Sequence, residues 1–104
     1  MKFFINQNVF NYITSSPNYI KTEAVTLIYR LYNDDSLGFI VPKKLGLANR
    51  RNYFKRQCRE EFQRIHTNNN IKSVALVVKP KSINITYDDI SDVFSRLSSK
   101  LLKN

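Results

Sequence analysis

At 104 residues, 42% hydrophobic and 12% aromatic with only two Gly and three Pro, the chain is one domain's worth of folded protein and not a disordered tail. Seventeen Lys and Arg against eight Asp and Glu leave a net charge of +9, so an anionic partner is expected to offset the self-repulsion of the compact state. The single cysteine excludes an intrachain disulfide, and no segment approaches the ~20 apolar residues of a membrane-spanning helix.

In chain order, Val9, Phe10 and Ile13 at helical spacing predict a first helix over residues 4–14, broken at Ser15-Ser16-Pro17-Asn18. The N-terminal MKFFINQNVFNYI is interrupted by Asn and Gln and lacks the ~7–15-residue apolar run of a signal peptide. A soluble, cytoplasmic protein with no membrane partner is therefore expected. Residues 22–32 alternate with period 2 and are rich in β-branched and aromatic side chains, which predicts a strand. Asn33-Asp34-Asp35-Ser36 is a turn cluster and residues 37–41 a second short apolar run, so the two runs are expected to form an antiparallel hairpin, with Pro42 marking its exit.

Residues 49–66 read as a helix with Asn49 as its cap and Asn68-Asn69-Asn70 as its stop. At about 100° per residue, Leu47, Phe54, Cys58, Phe62 and Ile65 share one face, predicted to be buried. Asn52, Lys55, Arg56, Arg59 and Gln63 form a second stripe with no acid in it, Glu60 and Glu61 falling to the side. Residues 71–79, IKSVALVVK, are the most strand-like run, with a continuous apolar core that predicts burial on both faces. Thr86-Tyr87-Asp88-Asp89 opens a last helix whose apolar face is Ile90, Val93, Phe94, Leu97 and Leu101. Strands alternating with helices point to a two-layer α/β sandwich in a single domain, residues 1–104.

The charge excess belongs to one segment. Residues 43–64 hold eight cations against two acids, a net +6 over 22 residues, whereas the other 82 residues carry only +3. A solvated helix face usually mixes signs; this one does not, and Lys43 and Lys44 extend it upstream. Arg forks and Lys point charges at repeated intervals suit phosphates along an RNA, and a clustered basic surface with a pI near 9.9 is the footprint of nucleic-acid binding. Arg51, at the edge of the apolar face near the helix start, is placed to reach toward the sheet.

The segment GFIVPKKLGLANRRNYFKRQCREEF resembles the signature of the protein subunit of bacterial-type ribonuclease P. Gly38, Lys43, Lys44, Gly46, Ala48, Arg51, Asn52, Lys55, Arg56, Arg59 and Glu60 fall at that family's spacing without a gap, eleven positions over 23 residues. Leu47 and Tyr53 depart from it, where the family usually has Asn and Arg; Arg50 is the substitute cation for the latter. The resemblance implies an α+β two-layer sandwich with a four-stranded mixed sheet, about three helices, and a left-handed crossover through the basic helix. It also implies a protein that does not itself cleave RNA and has no catalytic residues. The catalytic RNA subunit, with Mg²⁺ bound through the RNA and none on the protein, hydrolyses the bond joining the 5′ leader to tRNA. The implied partners are that RNA and precursor tRNA, with no obligatory protein partner. Implied RNA contacts are Lys43, Lys44, Arg50, Arg51, Asn52, Lys55, Arg56 and Arg59, with Phe10 and Tyr29 as candidates to line the leader cleft.

The remaining chemistry-bearing residues read as structural. His66 ends the basic helix, Cys58 lies on its apolar face, and the pairs Asp34-Asp35 and Asp88-Asp89 occupy a turn and a helix start. One Cys and one His do not make a zinc site. Two rival readings are a ribosomal-type protein that binds structured RNA without supporting cleavage, and a free-standing nuclease, against which the lack of catalytic residues argues.

Overall fold

In the computed structural model, which describes residues 5–82 and 84–103, the apolar run of the sequence becomes the centre of the sheet. The elements are α1 (Gln7–Ser15), β1 (Asn18–Lys21), β2 (Val25–Leu31), β3 (Ser36–Phe39), a 3₁₀ turn (Lys43–Leu45), α2 (Ala48–Asn68), β4 (Val74–Pro80) and α3 (Tyr87–Leu101). They build a four-stranded mixed sheet of order β1-β2-β4-β3, with three helices. β4 is antiparallel to β2 and parallel to β3, and α2 is the crossover between the two parallel strands.

β4 is internal to the sheet because its apolar side chains are covered on both faces. Val74, Leu76 and Val78 point into the larger core with Phe54, Cys58, Phe62 and Ile65 of α2 and with Ile90, Val93, Phe94, Leu97 and Leu101 of α3. Ala75 and Val77 point the other way, against Val9 and Ile13 of α1. All five of these β4 residues are at most 1% exposed. The sheet and the α2–α3 layer thus form the two-layer sandwich, and the short α1 covers the middle of the opposite face.

The predicted hairpin of β2 with β3 does not form. The two strands do run in opposite directions, but β4 lies between them and takes both sets of backbone hydrogen bonds. A fully apolar strand displaces a local pairing because at the sheet's edge it would leave one side of its ladder in water. The turn cluster instead spans β4's first residue. Asp35 Oδ1 accepts a hydrogen bond from Val74 N at 3.0 Å, and Tyr32 N donates to Ser73 O at 3.2 Å. β1 was not predicted; its NYIK offers one buried side chain, Ile20, and it is held as an edge strand by pairing with β2.

Helix boundaries differ at their starts. α1 is capped by Asn6, whose side chain accepts from Val9 N at 2.9 Å. Residue 4 of the predicted span lies outside the described residues. α2 begins before Asn49, with Leu47 at its cap and no side-chain capping bond. The Leu47 carbonyl accepts from both Arg50 N and Arg51 N, while Asn49 Oδ1 turns to Arg50 N at 2.9 Å. As a cap residue Leu47 is off the helical wheel, and it is 70% exposed instead of buried. The other four members of the predicted apolar face are buried as expected. α3 has a full capping box between Thr86 and Asp89, and all five predicted core residues face inward.

Candidate nucleic-acid interface

The basic segment is presented by two consecutive elements joined at a glycine. Pro42 and the 3₁₀ turn carry Lys43 and Lys44 into solvent, and Gly46 then reverses the chain with φ 146°, a left-handed conformation that side chains other than hydrogen rarely adopt. The Gly46 carbonyl accepts from Arg51 Nε at 3.2 Å, so Arg51 folds back onto the turn and braces it against α2. Gly38 has a different cause. A Cβ there would come within 3.1 Å of the Ile5 side chain, which lies over β3.

Along α2, Arg50, Asn52, Arg56 and Arg59 are exposed, and Arg51 and Lys55 half-buried. The ion pairs among the described residues engage Arg56, Arg64, His66 and Arg96, leaving Lys43, Lys44, Arg50, Arg51, Lys55 and Arg59 without a carboxylate within 4.0 Å. Glu60, beside the stripe, reaches Arg56 at 3.9 Å, one turn back along the helix. Both side chains are well exposed, so this pair adds little. Arg59 lies 5.7 Å from the Phe39 ring and Arg56 5.4 Å from the Tyr53 ring, which hold the two guanidinium groups near the helix surface.

The second acid of α2 has another task. Glu61 is only 3% exposed; it accepts from Tyr87 OH at 2.6 Å and from Arg64 Nε at 2.9 Å, tying α2 to the start of α3. The hydrogen bond to Glu61, and that carboxylate's charge, raise the Tyr87 phenol above its ordinary pKa, with Arg64 opposing. His66 at the other end is likewise structural. Its Nδ1 lies 2.8 Å from the Phe62 carbonyl, and its Nε2 lies 3.0 Å from Asp35 Oδ1.

Phe10 and Tyr29 do not share a cleft. Phe10 packs on the α1 face beside Ile28 and Tyr32, whereas Tyr29 packs among the larger core on the α2–α3 face, where burial pushes its phenol up. Alternation along β2 makes this unavoidable, since residues 28 and 29 point to opposite sides. The α1 face also holds an aromatic group not singled out in the sequence. Tyr12 and Tyr32 rings are 5.3 Å apart, and Arg30 lies 4.0 Å over Tyr12 while donating to the Tyr12 carbonyl and Ser15 Oγ at the end of α1.

A cavity of about 440 Å³ opens beside the first two turns of α2. Phe54, Pro80 and Ile85 give it an apolar floor, and Asn49, Arg50, Tyr53 and Gln57 line it with polar and aromatic groups. It escaped sequence reasoning because its walls come from three separated segments; only the Tyr53–Gln57 spacing, one helical turn, was there to be seen. Among the described residues no three His, Cys, Asp or Glu side chains are grouped to hold a metal ion, and no helix is long and apolar enough to cross a membrane.

Comparison with known proteins agrees in sequence and in fold. A sequence model of the ribonuclease P family matches residues 2–102. A ribonuclease P protein component of Chlamydia muridarum is 33% identical over 103 residues, covering 96% of this chain and 80% of the relative. One of Mycoplasma mobile is 25% identical over 103 residues, covering 94% and 92%. The solved RNase P proteins of Thermotoga maritima and Staphylococcus aureus each superpose with a TM-score of 0.76 at 22% identity, over 99% of this chain and 100% of theirs. At that identity the two structures establish the fold.

Proposed function

The chain belongs to the ribonuclease P protein family, and from that premise we propose that it binds the catalytic RNA subunit and the precursor-tRNA leader to support 5′ maturation of tRNA. The observation that carries this reading is the set of six cations without a carboxylate partner, Lys43, Lys44, Arg50, Arg51, Lys55 and Arg59, on the 3₁₀ turn and α2. With Arg56 and Asn52 they form the RNA-docking surface, its phosphates neutralised by cations whose competing partner is a single exposed glutamate. The uncapped start of α2 adds backbone N–H groups and the positive end of a 21-residue helix to the same region.

The leader is a single strand, and single strands are held by cations together with rings on which bases stack. The α1 face meets that need: Phe10, Tyr12 and Tyr32 are half-buried and Arg30 lies among them. Tyr29, beneath α2 and α3, is left to core packing. In this reading the protein contributes positioning and charge neutralisation and no catalytic side chain. Mg²⁺ bound through the RNA, with none on this chain, would supply the activated water and the stabilisation of the leaving oxygen.

The test is precursor-tRNA cleavage by a bacterial ribonuclease P RNA at low Mg²⁺, with and without the protein and with a protein-only control. Stimulation that requires the RNA is expected. Arg59→Ala should weaken RNA binding and lower the slope of log affinity against log salt by about 1. Tight RNA binding without stimulation would instead make the chain a structured-RNA binder with no part in cleavage.

A further inference from the structure

We propose that the cavity beside α2 is a pocket for one unstacked base of the bound RNA, with Tyr53 as its stacking platform. This inference rests on the RNA-docking reading and adds to it a site with its own chemistry. The cavity's volume, about 440 Å³, lies within the ~300–1,000 Å³ of small-ligand sites, and its floor of Phe54, Pro80 and Ile85 is apolar, as the face of a base requires. Its polar groups are of the kind that read a base edge. The Gln57 side chain is steadied by donating from Nε2 to Tyr53 OH at 3.1 Å, which keeps its carbonyl oxygen and a second N–H for a ligand. Asn49 uses Oδ1 on Arg50 N and retains its amide donors. Arg50, exposed and without a carboxylate partner, supplies the cation for the phosphate attached to such a base.

Tyr53 is the residue that makes the pocket particular to this chain. It stands where the family pattern has a cation, and it is 54% exposed while bordering the cavity. In the free protein this ring keeps apolar surface in water, which a stacked base would cover. Arg56 lies over it at 5.4 Å, an arrangement that draws the ring into the phosphate-binding surface. Stacking on a base therefore replaces a charge contact with a contact that salt does not screen.

The experiment uses the full chain with a bacterial ribonuclease P RNA as the probe. Affinity is measured across a salt series, and the Watson–Crick edges of unpaired bases are mapped with a base-modifying reagent. The wild-type protein should shield at least one unpaired base. Tyr53→Ala should expose that base and weaken binding roughly 5- to 150-fold, the range for loss of one base–aromatic stack, with the salt slope unchanged because no charge is removed. Tyr53→Phe should preserve shielding. Tyr53→Arg should raise the slope by about 1 yet leave the base exposed. Because the side chain is on the surface, these variants should melt as the wild type does. Wild-type affinity and an unaltered modification pattern in Tyr53→Ala would overturn the pocket. If Arg59→Ala lowers the slope in the same series, that failure is the pocket's alone; if it does not, the docking reading fails and the pocket with it.

Discussion

Cys58 is 1% exposed on the apolar face of α2, between Phe54 and Phe62, and burial pushes its thiol far above the ordinary range. Neighbouring Arg59 works in the opposite direction and does not offset the loss of water. A thiol raised in the folded state favours folding while it stays protonated. Its contribution is complete below the unfolded value of about 8.5 and erodes as pH climbs beyond it. The expected outcome is a thiol that resists alkylation in the native protein and reacts on denaturation. Stability to denaturant should also fall above about pH 8.5, and less steeply in Cys58→Ala. Equal alkylation rates in native and denatured protein would place this side chain at the surface. That Cys58 is a core residue was legible from its spacing with Phe54 and Phe62. That Glu61 is buried was not, because its burial depends on the Tyr87 hydroxyl, 26 residues away, arriving to hydrogen-bond it.

Among the elements, the joint between the 3₁₀ turn and α2 decides whether the cations act together. Gly46 allows the reversal, and its carbonyl anchors Arg51. Its φ of 146° and ψ of −171° lie in a region that is essentially restricted to glycine, where another residue costs ~1–3 kcal/mol. Gly46→Ala should therefore lower stability by about that amount, read from denaturant midpoints, and weaken RNA binding further by displacing Lys43 and Lys44 from α2. Unchanged stability would mean that the turn relaxes into an ordinary conformation. At the far end, Asp35 joins three elements at one carboxylate: it holds the N–H of Val74 and contacts His66, so the β2–β3 turn, β4 and the end of α2 meet there. In the sequence the Asp34-Asp35 pair had only the look of a turn. The third element arrives through the sheet order, which a local reading of residues 22–41 mistook for a hairpin.

For the molecule as a whole, a charge of +9 is spread over described dimensions of 39 × 28 × 26 Å. At ~0.01 M salt the screening length is about 30 Å, so like charges repel across the entire protein; at ~0.15 M it is about 8 Å and the repulsion is local. Few ion pairs among the described residues reward low salt, and Arg56–Glu60 and Arg96–Asp92 are both exposed. The melting temperature should therefore rise between these two salt concentrations, and RNA should raise it further by binding only the folded state. A fall with added salt would show that attractive pairs outweigh the repulsion. RNA affinity should move the opposite way, because the same salt competes for the phosphates.

By itself the sequence determined the properties that are local or periodic. The helical faces of α2 and α3, the burial of β4 on both sides, the clustering of charge in residues 43–64 and the signature from Gly38 to Glu60 all follow from spacing along one segment. Tertiary structure alone decided what depends on distant segments meeting. β4 had to enter between β2 and β3 before the turn at Asp35 had anything to hold. Sheet alternation had to be realised before Phe10 and Tyr29 were separated onto opposite faces. The cavity exists only because the β4–α3 connection returns beside the start of α2, and no window of sequence contains both. Periodicity fixes which way a side chain points from its own backbone; packing of apolar surface that cannot stay in water fixes what it points at.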